Sequence, residues 1–165
     1  MVPSASQRVE SQRLTRLEHP CVFYKKSLSI PAPSRRVLEC DELCTFVRSH
    51  QRPLWIWLAM DRHTRRIVGC FLGPRDTLGA YGLWHSLETP YLDAVCHTDR
   101  LAADKSVVFG KLHRIGGTQH IERFNATLRA RLAHLVRRSL AFSRRQSHLE
   151  TVVWLFLHHY NASLP

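Results

Sequence analysis

Acidic residues are scarce in this chain, and they are scarcest in its C-terminal half. Thirteen Asp and Glu residues stand against 24 Lys and Arg residues, which gives a formal net charge of +11 at pH 7. Between Lys105 and Leu149 there are ten Lys or Arg residues and four His residues, yet Glu122 is the only acidic residue. This balance is typical of proteins that bind a polyanion. We therefore expect a nucleic acid as the partner, with an anionic membrane as the second possibility, and the single Glu122 needs an explanation.

Long apolar runs are also missing. The longest ones, Leu54 to Met60 and Val152 to Leu157, are far shorter than the ~20 residues of a membrane-spanning helix. The N-terminus MVPSASQRVE has no apolar stretch of the kind found in secretory signals. We expect a soluble intracellular protein without a membrane partner.

Cysteine pairs with metal-binding spacing are absent as well. The five cysteines include no Cys-x-x-Cys pair, and an odd number in an intracellular chain predicts free thiols. His158 and His159 are adjacent, so on a helix their side chains diverge by about 100° and form a poor chelating pair. The sequence therefore predicts no zinc site.

The composition changes near residue 36. Residues 1–36 carry seven basic residues, two acidic residues and four prolines, which predicts a basic, loosely ordered N-terminal arm. Residues 37–165 have the apolar patterning of one folded domain. The segment VLECDELCTFV predicts a strand, and PLWIWLAM, the polar turn DRHTRR and IVGCFLG together predict a hairpin.

Helices and further strands follow this antiparallel start. Asp76 or Thr77 is a candidate N-cap for a helix that returns the chain to the sheet. Residues 93–99 predict a short buried strand whose end opens into a site, and VVFGKLHRI predicts a weaker one. Thr118 to Leu140 has the spacing of a long amphipathic helix, and His148 to Tyr160 is apolar nearly all round, which predicts a buried helix. The fold class is therefore mixed α/β.

The predicted helix at 118–140 carries polar residues in two groups. At 100° per residue, Glu122, Asn125 and Arg129 share the flank between core and solvent, while Arg123 and Arg137 point outward. A carboxylate on this flank can reach over the edge of a sheet and hold a cation. The ordinary alternative is that Glu122 relieves charge repulsion on a basic helix.

Three carboxylates can converge in this arrangement: Asp41 on the first strand, Asp99 at the end of the fourth, and Glu122. They would repel each other by roughly 4 kcal/mol per pair at an effective dielectric of 20, so cations must neutralise them. Mg²⁺ prefers such oxygen ligands. The alternatives are that Asp41 faces water at a sheet edge and that Asp99 caps a helix. Asp61 is predicted to be a turn residue.

Several segments resemble the bacterial insertion-sequence-one family of DDE transposases, in the InsB-type catalytic domain. They are CDELCTFV, WIWLAMDRHTRRIVG, HTD, HIERFNATLRARLAHLVRRSLAFS and LFLHHYN, and they span about residues 37–162. The resemblance implies a ribonuclease-H-like mixed sheet flanked by helices, an acidic triad of Asp41, Asp99 and Glu122, and strand cleavage and transfer at transposon ends with Mg²⁺ or Mn²⁺. It also implies a cytoplasmic location at the nucleoid. The chain departs from the pattern at Cys44, where relatives generally have Trp, and in a shorter loop before Glu122.

The same resemblance implies double-stranded DNA as the partner and gives the basic helix a role in holding its phosphates. The residues expected to do so are Arg123, Asn125, Arg129, Arg131, Arg137 and Arg138. One alternative is a solvated basic face without a partner. Others are an inactive, truncated transposase that only binds DNA non-specifically, and a nuclease of the same fold without strand transfer. A homo-oligomer on DNA is left open.

Overall fold

The computed structural model describes residues 36–99, 112–135 and 143–165, without the side chains of His50 and Arg52. The expected N-terminal arm lies outside the described residues apart from Arg36. Arg137 and Arg138 also lie outside them, as does most of the weaker strand predicted before residue 113.

The first three strands form the antiparallel meander that the alternation predicts. They are β1 (Val37–Val47), β2 (Ser49–Asp61) and β3 (Ile67–Gly73). In the register of β1 and β2, Asp41 lies opposite Leu58. The middle of β2 is fully buried, as expected for a strand that reads as an apolar run.

The chain then returns through a helix to extend the sheet on the other side of β1. Helix α1 (Thr77–Ser86) begins at the predicted N-cap Asp76, whose carboxylate accepts from the amides of Leu78 and Gly79. Strand β4 (Val95–Thr98) pairs parallel with β1, and β5 (His113–Ile115) pairs parallel with β4.

The resulting strand order is β3-β2-β1-β4-β5. Strand β1 is thus central, and the explanation of Asp41 as a residue at a sheet edge is wrong. This five-stranded mixed sheet with flanking helices confirms the predicted mixed α/β class and is consistent with a ribonuclease-H-like fold. Among the described helices, none is long and apolar enough to cross a membrane.

The basic helix is shorter than the spacing predicts. Helix α2 runs from Gln119 to Arg131, and Leu132 is extended at φ −101° and ψ 101°. A short 3-10 turn, Ala133–Leu135, follows and buries Leu135. The predicted continuation toward Leu140 is therefore wrong at residue 132. Neither glycine nor proline marks the break, so the spacing of apolar residues alone could not locate it.

Helix α3 (Gln146–Ala162) covers the sheet beside α2. The expectation that it is buried nearly all round is wrong, because Leu155 is 71% exposed. Its inner face is fixed by Asn161, whose side chain donates to the Ile67 carbonyl at 2.8 Å and accepts from the Ile67 amide at 2.9 Å. The rings of Phe124 and Tyr160, 4.5 Å apart, join α3 to α2.

Candidate metal centre

Three carboxylates meet where β1 and β4 diverge. Asp41, Glu42 and Asp99 each offer an oxygen, and these oxygens lie within 4.8 Å of one another. The parallel pairing of β1 with β4 ends at Glu39 opposite His97. The same register, carried two residues further, brings Asp41 opposite Asp99. Two unit charges at this separation repel by about 3.5 kcal/mol at an effective dielectric of 20, so the group favours a bound cation.

Asp41 is half-buried, and neutral donors hold its carboxylate. It accepts from the amide of Glu42 at 2.9 Å and from the side-chain amide of Asn125 at 2.8 Å. Burial raises the pKa of Asp41 above its ordinary value, the two hydrogen bonds oppose this, and the charges of Asp99 and Glu122 add to the rise.

Glu42 completes the group, and the sequence reasoning missed it. Its side chain is 3% exposed and pairs with Arg75, whose Nε and Nη2 lie 2.7 and 2.6 Å from one carboxylate oxygen. The Arg75 guanidinium in turn lies 4.5 Å from the centre of the Trp55 ring. Burial nevertheless raises the pKa of Glu42 to about 7. The available signal is that acidic residues are uncommon inside strands, so Glu42 within the predicted strand VLECDELCTFV calls for an explanation.

Glu122 is not part of the three-carboxylate group. It lies on the exposed side of α2, and its carboxylate accepts from the Thr118 hydroxyl at 2.6 Å. The structure thus brings Asp41 and Asp99 together as the sequence predicts, whereas it leaves Glu122 outside their group.

The described residues that were expected to contact phosphates differ in their exposure to solvent. Arg123, Arg129 and Arg131 are exposed on α2. Asn125 is only 6% exposed and lies against Asp41, which differs from the half-exposed flank expected for it. Its Oδ1 has no hydrogen-bond partner among the described residues.

Asp61 begins the β2–β3 turn, as predicted. Its carboxylate accepts from the amides of His63 at 2.9 Å and Thr64 at 3.0 Å. It pairs with Leu38 near the start of β1 rather than with the carboxylate group. These contacts explain Asp61 without a role in metal binding.

Glu39, two residues before Asp41, is a second acidic residue that the sequence reasoning missed. Its side chain is fully buried and accepts hydrogen bonds from Arg62 and from the first turn of α2. Strand alternation places Glu39 and Asp41 on the face that α2 covers. Glu42 points to the opposite face, where its cross-strand partner Trp57 donates to the Pro74 carbonyl before α1.

The donor set suits a hard divalent cation. Three carboxylate oxygens are the ligands that Mg²⁺ and Mn²⁺ prefer, and the group contains no imidazole or thiolate, which softer metals select. The residues present therefore fit a divalent metal.

Comparisons with known proteins agree with this interpretation. The family model for the IS1 transposase matches residues 36–161. The InsB protein of insertion element IS1 4 from Escherichia coli (strain K12) is 36% identical over 126 residues, which is 74% of this chain and 75% of that protein. The InsB protein of insertion element IS1 from Shigella sonnei is 35% identical over 126 residues, 74% of this chain and 95% of that protein. The matched segment includes the described sheet and all three carboxylates, and the chain belongs to the IS1 transposase family.

Proposed function

We propose that residues 37–165 form the catalytic domain of an insertion-sequence transposase, which cleaves DNA strands and transfers them at transposon ends. The observation that carries this proposal is the meeting of carboxylates from β1 and β4 beside an exposed basic helix, in a chain of a transposase family. Asp41, Asp99 and Glu122 are the proposed acidic triad, with Glu42 as an additional ligand.

Asp41, Glu42 and Asp99 would hold Mg²⁺ or Mn²⁺. When bound, a pair of such ions activates a water or a DNA 3′-hydroxyl and stabilises the leaving oxygen of the phosphodiester. Asn125 orients Asp41 through its side-chain amide, so its proposed role is to position a ligand rather than to contact DNA. Glu122, which accepts from the Thr118 hydroxyl, would have to turn toward Asp41 to complete the triad.

The exposed arginines of α2 would position the DNA backbone. Guanidinium groups bind phosphates in a bidentate manner and carry no base information, so they fix register and strengthen binding. The proposed contacts are Arg123, Arg129 and Arg131, with Arg137 and Arg138 further along the chain. The N-terminal arm of residues 1–36, with seven basic and two acidic residues, would strengthen attachment to any duplex.

The test is cleavage of supercoiled plasmid and of labelled inverted-repeat DNA by the purified chain, with Mg²⁺, with Mn²⁺ or with EDTA. We expect cleavage only with a divalent metal. Asp41→Asn, Asp99→Asn and Glu122→Gln should each abolish it while leaving the circular dichroism spectrum and the DNA affinity intact. Cleavage in EDTA, or full activity of Asp41→Asn, would contradict the proposal.

A second candidate function is DNA binding without catalysis. The position of Glu122 outside the carboxylate group, paired with Thr118, favours it. The same experiment separates the two functions. A chain that only coats DNA shows no cleavage with either metal, while its affinity for duplex DNA falls steeply as salt rises.

A further inference from the structure

The starting observation is the fully buried carboxylate of Glu39. Its Oε1 accepts from Arg62 Nε at 2.8 Å and from His120 Nδ1 at 2.6 Å, and its Oε2 accepts from the amides of His120 at 2.9 Å and Ile121 at 3.1 Å. A buried carboxylate is tolerated only when it is paired and hydrogen-bonded in this way. These donors come from two distant segments, the β2–β3 turn and the start of α2.

Glu39 caps α2 from outside the helix. The first amides of a helix have no partner within it, and its positive end favours a carboxylate. The residue at the cap position, Thr118, makes no side-chain capping bond, and its hydroxyl donates to Glu122 instead. The start of α2 is therefore attached to β1 by Glu39 rather than closed by its own cap residue.

Arg62 connects Glu39 to the turn that leads into α2. Its Nε donates to Glu39 and its Nη2 donates to the Gly117 carbonyl. Gly117 has a φ of +78°, and a Cβ there would come within 2.8 Å of both Arg62 Nη2 and His97 Nδ1. The turn is thus held between β4 and the β2–β3 turn, which fixes where α2 begins.

We propose that Glu39 and Arg62 are positioning residues of the metal centre, which set where α2 begins and therefore how near Glu122 can come to Asp41. Glu122 lies two residues after His120, and Asn125 binds Asp41 one turn further on. Glu39 and Asp41, which lie on the same face of β1, therefore bind α2 at two positions, its first turn and Asn125. This inference rests on the proposed function, because it assigns these residues a role in that metal site.

The test compares Glu39→Gln and Arg62→Lys with a matched control. Glutamine keeps the volume of Glu39, but its NH₂ group replaces one acceptor oxygen and faces the N–H donors that bind there. Lysine keeps the charge of Arg62 but cannot make both hydrogen bonds, to Glu39 and to the Gly117 carbonyl. The control is Asn161→Ala, which removes two buried hydrogen bonds that attach α3 to β3, neither of which involves α2. For each full-length chain we would measure Mn²⁺ binding by calorimetry, thermal stability, and DNA affinity in EDTA.

We expect all three variants to lose thermal stability. Glu39→Gln and Arg62→Lys should also weaken Mn²⁺ binding at least tenfold, with DNA affinity within twofold of wild type, whereas Asn161→Ala should leave Mn²⁺ binding within twofold. In a Glu122→Gln background, Glu39→Gln should weaken Mn²⁺ binding by less than twofold further, because its effect acts through Glu122.

Two results would overturn the inference alone: wild-type Mn²⁺ affinity in Glu39→Gln, or an equal loss with and without Glu122. Absence of Mn²⁺ binding by the wild-type chain would overturn the proposed function as well. Hydrogen exchange gives an independent check, since the amides of His120 and Ile121 should exchange faster in Glu39→Gln than in Asn161→Ala.

Discussion

Replacing Glu42 with glutamine should change how the stability of the domain depends on pH. The pKa of Glu42 is raised by burial from 4.5 to about 7, so the native state binds a proton more tightly than the unfolded chain does. Stability from such a group is fully present below pH 4.5 and is lost as the pH rises toward 7. The full shift would correspond to about 3.4 kcal/mol. Glu42 as a whole residue is only partly buried, so solvent around its carboxylate reduces the expected loss to about 1–2 kcal/mol.

The assay is urea unfolding of wild type and Glu42→Gln in EDTA, at half-unit steps from pH 4.5 to 8. The difference between the two chains cancels the contributions of those titratable groups that do not interact with Glu42, while changes at Asp41 and Asp99 remain in it. We expect the unfolding free energy of wild type, relative to the variant, to fall by about 1–2 kcal/mol over this range. Mg²⁺ should reverse the fall in wild type only. Parallel pH curves for the two chains, or a relative gain by wild type as pH rises, would refute the reasoning.

Three further predictions concern stability and DNA binding. Asn161→Ala should lower the unfolding free energy by about 2–3 kcal/mol in urea titrations, because it leaves the amide and carbonyl of Ile67 without partners; a loss under 0.5 kcal/mol would show that water replaces them. Gly117→Ala should cost at least about 1–2 kcal/mol, since its φ is +78°, and equal stability would mean that the turn relaxes. The last prediction concerns three exposed arginines of α2, namely Arg123, Arg129 and Arg131. Replacing all three with glutamine should reduce the slope of log affinity against log salt by about 2.7 in DNA titrations. An unchanged slope would exclude them as phosphate contacts.

Local patterns in the sequence were sufficient to predict most of the sheet. The meander of β1, β2 and β3 follows from apolar alternation and one polar turn, and the Asp76 cap marks the start of α1. Asp41 lies inside one run that reads as a strand and Asp99 ends another, so the two can meet when these strands lie side by side. The individual strands, the turn and the helix cap that were predicted correctly depend on patterns within each segment.

The parts that were missed depend on contacts far apart in the chain. Glu39 has partners 23 and 81 residues away, and Asn125 binds Asp41 across 84 residues. A buried polar group of this kind reads in the sequence as a surface residue, because its compensation comes from another element. The early end of α2 at Arg131 also has no local mark. These features required the register of the sheet and the position of the helix upon it.

The acidic residues of β1 differ in how their charge is compensated, and this difference bears on which of them a cation meets first. Glu39 and Glu42 each have an arginine within 2.8 Å, namely Arg62 and Arg75. Asp41 takes its hydrogen bonds from neutral donors, which orient the carboxylate without cancelling its charge. A divalent ion at Glu42 must compete with a guanidinium that is already in contact, whereas at Asp41 it displaces no such charge. In the proposed metal centre the arginines would therefore favour Asp41 as the first ligand of a cation, and Glu42 would have to loosen its contact with Arg75 to become one.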